Sequence, residues 1–584
     1  MTPREDLWNQ AAESLTARRI HWPADVPREY VDPAPTYGLN DYLQRWARER
    51  PDTTAIHFYG RDISYAELER SAGAFAGWLS ERGVHAGDRV GVFLGNCPQL
   101  TIALLGILRI GAVYVPINPM FKARELAYEL ADAGVTLLLT HPSLASVVAE
   151  ARETTPEHFE GASLSAVTPA LDVAFTAPGD MLTAPATPPA PFPPASGSEI
   201  SDWASIMSTE PVRPIRCDRD ALAALNYTGG TTGMPKGCEH TEGHMIYTAQ
   251  STLLGQGRVP GTPLDDSGRV HVSLGFLPMF WIAGEDMCLL NPLIDGATVV
   301  IMSRWDATTA LALIESQRVT WMAAQADNYV ELLESPEFAR TDTSSLHECV
   351  AISFVRKLDV ALRSEWQEAT GVLLHEASYG MTETHTADTF TYGLHADNHD
   401  LLAEPTYCGY PVPGTSIIVV DDDLLPVNTG EPGQILVKSP SVLRAYYNKP
   451  EATREALVDG WLLTGDTGQF NEHGGLSYLF RSKEMIKVNG MSVFPTEVEA
   501  YFKSHPEVVR VAVAPQEDPV VGQRPVAFVE LSSGATTTAE SLREWATTQM
   551  ATYKVPVIVI VDAMPMTATG KIRKVELMKE LTTP

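Results

Sequence analysis

The most informative segment of this chain is Asn226-Tyr-Thr-Gly-Gly-Thr-Thr-Gly-Met-Pro-Lys-Gly237. Its clustered glycines let backbone N–H groups crowd around a phosphate, and its threonine hydroxyls add further donors. Lys236 places a point charge at the end of the run. Because Gly237 follows the lysine, the spacing of a Walker A loop fails, and a glycine-rich turn without a ligand is the alternative. The predicted phosphate-binding residues are Thr228, Gly229, Gly230, Thr231, Thr232, Gly233 and Lys236.

Patterns typical of helices and strands alternate on both sides of this run. Residues 65–82 and 99–111 have helical patterns, and residues 89–94 form a short β-rich run between them. The alternation returns between residues 220 and 376, and it predicts a sheet covered by helices. Residues 410–437, with the turns DDD and NTGEPG, instead predict antiparallel strands.

Four further motifs follow the glycine-rich run. They are Tyr379-Gly-Met-Thr-Glu383, Leu463-Thr-Gly-Asp466, Arg481-Ser-Lys-Glu484 with Ile486-Lys-Val-Asn-Gly490 and Pro495-Thr-Glu-Val-Glu499, and Pro565-Met-Thr-Ala-Thr-Gly-Lys571. In sequence and in order, the five motifs resemble the signatures of the adenylate-forming superfamily, which includes acyl-CoA synthetases, adenylation domains and luciferases. The resemblance covers residues 226–571.

The resemblance implies an α/β fold with two domains. Residues 1–481 would form a large amino-terminal adenylation domain, with βα-layered subdomains and a small β-barrel-like subdomain. Residues 482–584 would form a small mobile α+β domain that carries the catalytic lysine. The sequence agrees with this division, because the charge density rises at RSKEMIKVNG and a compact strand–helix–strand pattern follows.

The resemblance assigns the nucleotide to residues of the second and third motifs. Tyr379, beside Gly380, would stack on the adenine. Asp466 would accept hydrogen bonds from the ribose hydroxyls, and Arg481 would assist it as a donor. Each of these residues, taken alone, has an ordinary structural explanation as a core tyrosine or a loop cap.

The resemblance also names three catalytic residues, Lys571, Thr382 and Glu383. Thr382 would contact phosphate oxygens, and Glu383 would hold Mg²⁺, a hard ion that prefers carboxylate oxygen. Lys571 would stabilise the negative charge that develops as the acid attacks the α-phosphorus. It follows the small, turn-prone run TATG, so we expect it on a loop.

The second half-reaction in this superfamily brings a thiol to the acyl adenylate after the small domain rotates. The matching hinge position is Lys483, where many relatives carry aspartate. Gly490 would approach the pantetheine arm of coenzyme A, where a side chain would obstruct it. Lys487, on the same segment, completes the predicted cofactor-binding set.

Three segments depart from the family pattern near the expected acid pocket. Trp281 stands where relatives usually have histidine, residues 351–356 lack the usual pair of glycines, and residues 325–327 replace a Val-Pro-Thr stretch. Because an indole is bulkier than an imidazole and lacks its acceptor, the pocket must differ in shape. The predicted pocket residues are Trp281, Asp327, Ser353 and Phe354.

These departures leave two interpretations of the acid. An apolar cleft would take a fatty or aromatic acid, and an aromatic cage with nearby acids would take a cationic, betaine-like one. The apolar interpretation is favoured because acidic residues at the ends of elements are usually solvated. The cleft would use Trp281, Met322, Ile352 and Phe354, and the cage would use Trp281, Phe354 and Tyr379 with acids from the set Glu285, Asp286 and Asp327.

The composition limits the classes of partner and the cellular compartment that we expect for this protein. With 43 basic and 73 acidic residues the net charge is −30, which makes nucleic acid an unexpected partner. The six cysteines lack metal-site spacing and indicate a reduced protein without zinc. No signal peptide or membrane-spanning run is evident, so we expect a cytoplasmic protein. Residues 168–198 are proline-rich and predict a surface loop, and a homodimer stays open because dimers occur among similar enzymes.

The sequence therefore predicts an ATP-dependent acyl-CoA synthetase that acts on a small-molecule carboxylic acid with ATP, Mg²⁺ and coenzyme A. The alternatives are a ligase for a cationic acid, a stand-alone adenylation enzyme that loads another thiol or amine, a luciferase-type oxygenase and a non-catalytic nucleotide-binding homologue. A peptide-synthetase adenylation domain is disfavoured, because Phe280-Trp-Ile282 replaces the aspartate that binds an ammonium group.

Overall fold

The structure is a computed structural model. It describes residues 2–156, 163–182, 201–228, 234–264, 268–353, 356–376, 378–403, 406–481, 486–488, 491–493, 495–518, 521–550, 552–566, 572–574 and 576–578. The α-helices are α1 (Pro3–Ala17), α2 (Leu39–Glu49), α3 (Tyr65–Glu81), α4 (Pro98–Arg109), α5 (Ala123–Ala133), α6 (Ala145–Glu153), α7 (Leu164–Val167), α8 (Trp203–Met207), α9 (Glu242–Gly255), α10 (Ile282–Glu285), α11 (Asn291–Asp295), α12 (Ala307–Ser316), α13 (Ala326–Glu334), α14 (Val360–Thr370), α15 (His399–Leu402), α16 (Pro450–Ala456), α17 (Pro495–Lys503) and α18 (Ala539–Gln549).

The strands alternate with these helices. They are β1 (Thr54–Phe58), β2 (Arg61–Ser64), β3 (Arg89–Phe93), β4 (Val113–Pro116), β5 (Val135–Thr140), β6 (Asp172–Phe175), β7 (Leu222–Tyr227), β8 (Gly237–Thr241), β9 (Val272–Gly275), β10 (Thr298–Ile301), β11 (Trp321–Gln325), β12 (Glu348–Ile352), β13 (Leu374–Glu376), β14 (Gly380–Met381), β15 (Thr386–Ala387), β16 (Thr389–Phe390), β17 (Thr406–Pro411), β18 (Ser416–Val420), β19 (Gly433–Lys438), β20 (Leu457–Val458), β21 (Trp461–Phe470), β22 (Leu476–Arg481), β23 (Ile486–Val488), β24 (Met491–Val493), β25 (Val508–Asp518), β26 (Gly522–Leu531) and β27 (Val557–Val561).

Two sheets are mostly parallel. One has seven strands in the order β13-β12-β11-β9-β10-β1-β2, and only the β1–β2 pair is antiparallel. The other has six strands in the order β6-β5-β3-β4-β7-β8, and only β7–β8 is antiparallel. Their strands are short apolar runs, as expected for parallel strands that are buried on both faces. The predicted βα layering is confirmed.

The largest hydrophobic core packs strands of the seven-stranded parallel sheet against helices α2, α3 and α4. Trp46, Phe75 and Tyr329 are each at most 1% exposed within it. Helix α3 begins after Ser64, whose hydroxyl accepts the Glu67 N–H at 3.2 Å. Such a cap satisfies a donor that the first helical turn leaves without a partner. Among the described residues, no helix is long and apolar enough to cross a bilayer.

A second seven-stranded sheet, here called the antiparallel sheet, has the order β16-β17-β22-β21-β19-β18, with β20 paired to β21. Strands β18 and β19 pair antiparallel from Ser416 with Lys438 to Val420 with Gln434. This confirms the antiparallel strands predicted for residues 410–437. The Asp421 carboxylate closes the turn after β18, because its Oδ1 accepts the N–H groups of Asp423 and Leu425 at 3.0 and 2.9 Å.

A separate five-stranded sheet lies near the carboxyl terminus, with the order β24-β23-β26-β25 and β27 parallel to β26. Helix α17 lies in the strand–helix–strand pattern that the sequence predicted after RSKEMIKVNG. The mixed α/β class is confirmed. The proposed boundary between residues 481 and 482, and any motion of the small domain, stay predictions.

One part of the predicted proline-rich loop is wrong. Residues 172–175 form strand β6, which pairs parallel with β5 from Asp172 with Leu137 to Phe175 with Thr140. The run Leu-Asp-Val-Ala-Phe supplies enough apolar side chains for an edge strand before the prolines begin. Residues 183–200, which hold the proline-rich centre, lie outside the described residues.

Candidate active site

The candidate active site lies where parallel strands end. Strands β9, β11, β12 and β13 are neighbours and run parallel. Trp281 follows β9, Asp327 follows β11, Ser353 follows β12 and Tyr379 follows β13. Because the carboxyl ends of parallel strands meet at one edge of a sheet, the fold gathers these predicted residues on one side. Phe354 lies outside the described residues.

The glycine-rich run connects β7 to β8. Tyr227 pairs with Gly237 across the two strands. Just beyond them, the Thr228 N–H donates to the Lys236 carbonyl at 2.9 Å, and the Lys236 N–H donates to the Thr228 hydroxyl at 3.1 Å. The two described ends of the run are therefore held side by side. Gly229, Gly230, Thr231, Thr232 and Gly233 lie outside the described residues.

Helix α5 supports this run from one side. The Tyr128 hydroxyl donates to the Pro235 carbonyl at 2.8 Å. Asp132, on the next turn, accepts the Tyr227 hydroxyl at 2.9 Å and the Lys449 ammonium at 2.6 Å. Lys449 balances the charge of Asp132, which would otherwise repel a phosphate close to the run.

Thr382 and Glu383 lie on a tight turn between β14 and β15. A side chain on Gly380 would place its Cβ 1.6 Å from the Thr386 carbonyl oxygen, so the two backbones can approach only because this residue is glycine. His385, which follows the turn, has a φ of +57°. The turn holds both predicted catalytic residues half-buried at the surface of the site.

Tyr446 contacts both Glu383 and Lys236, and none of the sequence motifs includes it. Its hydroxyl donates to Glu383 Oε1 at 2.9 Å, and the Lys236 ammonium lies 4.5 Å from the centre of its ring. The aromatic pair Tyr446-Tyr447 was visible in the sequence. Which of the two rings faces the site depends on the pairing of residues 443–447 with β8, which sequence patterns do not reveal.

Tyr379 and Asp466, both predicted to bind the nucleotide, contact each other. The Tyr379 hydroxyl donates to Asp466 Oδ2 at 2.8 Å. Burial, followed by the charge of Asp466, raises the pKa of Tyr379 well above its usual value, so the hydroxyl remains a donor. Asp466 pairs with Arg481 across β21 and β22, so the backbones of the two residues are neighbours.

A buried polar network lies behind the Thr382 turn. His240 Nε2 donates to the Thr382 carbonyl at 2.8 Å. Burial, and then the neighbouring rings of His385 and His244, lower the pKa of His240 well below its usual value, so the ring is neutral. His385 Nε2 lies 3.5 Å from Glu285 Oε1. Sequence reasoning missed His240 because a histidine inside a strand carries no signature.

The network also includes two acidic residues close to Trp281, a residue of the predicted pocket for the carboxylic acid. The backbone N–H of Glu285 donates to the Trp281 carbonyl at 2.8 Å. Its carboxylate accepts a hydrogen bond from the Asn226 side-chain amide at 2.8 Å. Asp286 accepts the Thr252 hydroxyl at 3.0 Å, and burial raises the pKa of Asp286 to about 7. Both acids are 0% exposed. They are therefore held inside the protein.

Ser353 connects the ends of two strands. Its hydroxyl donates to Glu376 Oε2 at 2.6 Å and accepts the Leu358 N–H at 2.8 Å. Burial raises the pKa of Glu376 to about 7, and the hydrogen bond from Ser353 opposes that rise. Near neutral pH the Glu376 carboxyl can therefore be charged or neutral.

Several predicted residues cannot be placed. Lys483, Gly490 and Lys571 lie outside the described residues. Lys487 lies on β23, and Arg481 ends β22, but only their backbones are described. The roles of these five residues therefore stay predictions.

No group of three or more His, Cys, Asp or Glu side chains in the described part of the chain could hold a metal ion. The six cysteines are unpaired thiols, and five of them are buried. A single accessible carboxylate such as Glu383 fits Mg²⁺, which usually binds one or two carboxylates together with substrate phosphates.

Two family models match this chain along most of its length. The AMP-binding enzyme family model matches residues 43–447, and the model of the AMP-binding enzyme C-terminal domain matches residues 497–571. The chain belongs to the AMP-binding enzyme family. The family resemblance on which the five motifs were interpreted is therefore confirmed.

Relatives within the family agree on the class of reaction. The long-chain-fatty-acid–CoA ligase of Bacillus subtilis (strain 168) is 30% identical over 582 residues, which are 96% of this chain and 97% of the relative. An anthranilate CoA ligase in complex with anthranoyl-AMP superposes with a TM-score of 0.76 at 26% identity, covering 95% of this chain and 98% of that one.

O-succinylbenzoate coenzyme A synthetase from Bacillus subtilis, in complex with ATP and magnesium ion, superposes with a TM-score of 0.72 at 25% identity, covering 92% of this chain and 99% of that one. The family and these relatives confirm the predicted enzyme class. The chain is an AMP-forming acyl-CoA synthetase.

Proposed function

We propose that this enzyme joins an apolar carboxylic acid, fatty or aromatic, to coenzyme A through an acyl adenylate. In the first step the carboxylate attacks the α-phosphorus of ATP, the bond to the bridging oxygen breaks, and pyrophosphate leaves. In the second step the thiol attacks the acyl carbonyl, loses its proton, and AMP leaves. The observation that carries this proposal is that Lys236 and Glu383 both contact Tyr446.

Each residue of the site would then do one task. Lys236 and the donors of the glycine-rich run would bind the phosphates, and Asp466, held by Tyr379, would bind the ribose. Glu383 would hold Mg²⁺, which when bound neutralises phosphate charge. Lys571 would stabilise the charge that builds on the transferring group.

The burial of Glu285 and Asp286 favours an apolar acid over a cationic one. A cage for a cation needs acids that face the ligand. Glu285 is engaged by Asn226, and the raised pKa of Asp286 leaves it partly neutral near neutral pH. Met322 and Ile352, from the strands that end at the site, are apolar and at most 8% exposed. Trp281, which follows β9, is half-buried.

The decisive experiment is ATP–pyrophosphate exchange with a panel of acids, followed by CoA-dependent thioester release. The panel holds saturated fatty acids of increasing length, benzoates, cinnamates and betaine-like acids. We expect exchange and thioester release to be fastest with a fatty or aromatic acid. A preference for a betaine-like acid would refute the apolar interpretation, and the lack of exchange with any acid despite ATP binding would indicate a non-catalytic homologue.

The role of Lys571 is tested with matched lysine variants. Lys571→Ala should abolish exchange but leave thioester formation from a supplied acyl adenylate intact. Lys574→Ala is the control, since Lys574 lies three residues after Lys571 but binds Glu499 at 2.9 Å. Equal loss of both half-reactions in Lys571→Ala would contradict the assigned role.

A further inference from the structure

Tyr446 lies between a cation and an anion that do not pair with each other. Among the ion pairs of the described residues, Lys236 and Glu383 are not joined, although both contact this one side chain. The ring face attracts the ammonium, and the hydroxyl engages one oxygen of the carboxylate. A neutral side chain thus satisfies both charges in part and leaves each of them able to bind a ligand.

The backbone around Tyr446 is tied to both motifs. The Leu443 N–H donates to the Glu383 carbonyl at 2.7 Å, and the Tyr447 N–H donates to the Gly237 carbonyl at 2.8 Å. The segment therefore spans the gap between the Thr382 turn and the end of the glycine-rich run. Tyr446 itself is only 7% exposed, so its ring has little freedom to move away.

We propose that Tyr446 is a positioning residue that keeps Lys236 and Glu383 apart and correctly placed for ATP and its cation. This inference rests on the proposed function of the site. Without the phenol, two opposite charges on neighbouring loops would be free to pair directly, and each would then be lost to the nucleotide. The hydroxyl acts on Glu383 and the ring acts on Lys236, so their contributions are separable.

Two variants separate the contributions. Tyr446→Phe keeps the ring beneath Lys236 but removes the hydroxyl from Glu383. Tyr446→Leu removes both contacts. Tyr447→Phe is the matched control, because this neighbouring ring packs against the core beside β3, β4 and β5 instead of the site.

The measurement is calorimetric binding of ATP, without any acid, in the absence and presence of saturating Mg²⁺. For Tyr446→Phe we expect ATP alone to bind within about twofold of wild type, and the gain from Mg²⁺ to shrink about tenfold, because a hydrogen bond to a charged group is lost. For Tyr446→Leu we expect ATP alone to bind about threefold more weakly as well, because the cation–π contact is lost. Tyr447→Phe should match wild type in both titrations.

Each outcome decides the question. The positioning role would be refuted if Mg²⁺ increased the ATP affinity of Tyr446→Phe as much as that of wild type. It would also be refuted if both variants lost ATP affinity equally with and without Mg²⁺. In either case, ATP binding by the wild type would still support the site. Wild-type protein that binds no ATP would refute the proposed function itself. If Tyr446→Leu fails to fold by circular dichroism, Tyr446→Phe alone gives the answer, since it removes a single oxygen.

Discussion

The bond between Tyr379 and Asp466 allows a quantitative prediction. Tyr379→Phe removes only the hydroxyl that donates to Asp466 Oδ2 at 2.8 Å, and the two residues are 9% and 6% exposed. A hydrogen bond to a charged group contributes about 1.5–3 kcal/mol, which corresponds to a factor of about 10 to 150 in a binding constant. Because water can replace part of the hydrogen bond that Asp466 loses in the variant, we expect ATP affinity to fall only about tenfold.

The assay compares ATP with 2′-deoxy- and 3′-deoxy-ATP by equilibrium binding. If Tyr379 orients Asp466 towards the ribose, wild type should discriminate against at least one deoxy nucleotide, and Tyr379→Phe should lose most of that discrimination. The raised pKa of Tyr379 means that the hydroxyl stays protonated, so the difference between the proteins should persist between about pH 6 and pH 9.

Tyr478→Phe serves as the control. Its ring stacks near Tyr379, with centroids 6.2 Å apart and planes 30° apart, so it tests the aromatic surroundings without touching the hydrogen bond. Unchanged ATP affinity in Tyr379→Phe, or undiminished discrimination between the ribose and deoxyribose nucleotides, would refute the role given to this pair.

Three further predictions concern the buried groups around the site. Burial raises the pKa of Asp286 to about 7, above its unfolded value near 4, so the free energy of unfolding should fall as the pH rises between these values, by up to about 1.4 kcal/mol per pH unit. Asp286→Asn should flatten this slope in urea titrations at several pH values, and an unchanged slope would show that another group causes it. His240→Leu leaves the Thr382 carbonyl without its 2.8 Å donor and should weaken ATP binding about tenfold, whereas His240→Gln should restore most of it; equal binding by the two variants would contradict this. Gly380→Ala forces a Cβ to within 1.6 Å of the Thr386 carbonyl oxygen, so it should open the β14–β15 turn and reduce ATP affinity about 5- to 150-fold, as about 1–3 kcal/mol of overpacking predicts; wild-type affinity would show that the turn is not needed.

The class of fold and the order of the site motifs were readable from local sequence. Parallel strands are short apolar runs and helices have a 3.6-residue period, so residues 65–111 and 220–376 could be assigned from pattern alone. The glycines at residues 229–233 and the lysine at position 236 indicated phosphate binding because few other residue types let so many donors converge. Strand β6 was missed because a four-residue edge strand followed by prolines has little local signal.

Contacts between distant parts of the chain could be found only in the tertiary structure. Tyr446 is separated from Lys236 by 210 positions and from Glu383 by 63, and no local pattern encodes which ring faces the site. The same holds for His240 beneath Thr382 and for the inward burial of Glu285. Local sequence sets the conformation of each segment, but pairing between segments depends on packing over the whole domain. The motifs thus determined the reaction class, whereas the structure revealed that Tyr446 contacts both Lys236 and Glu383.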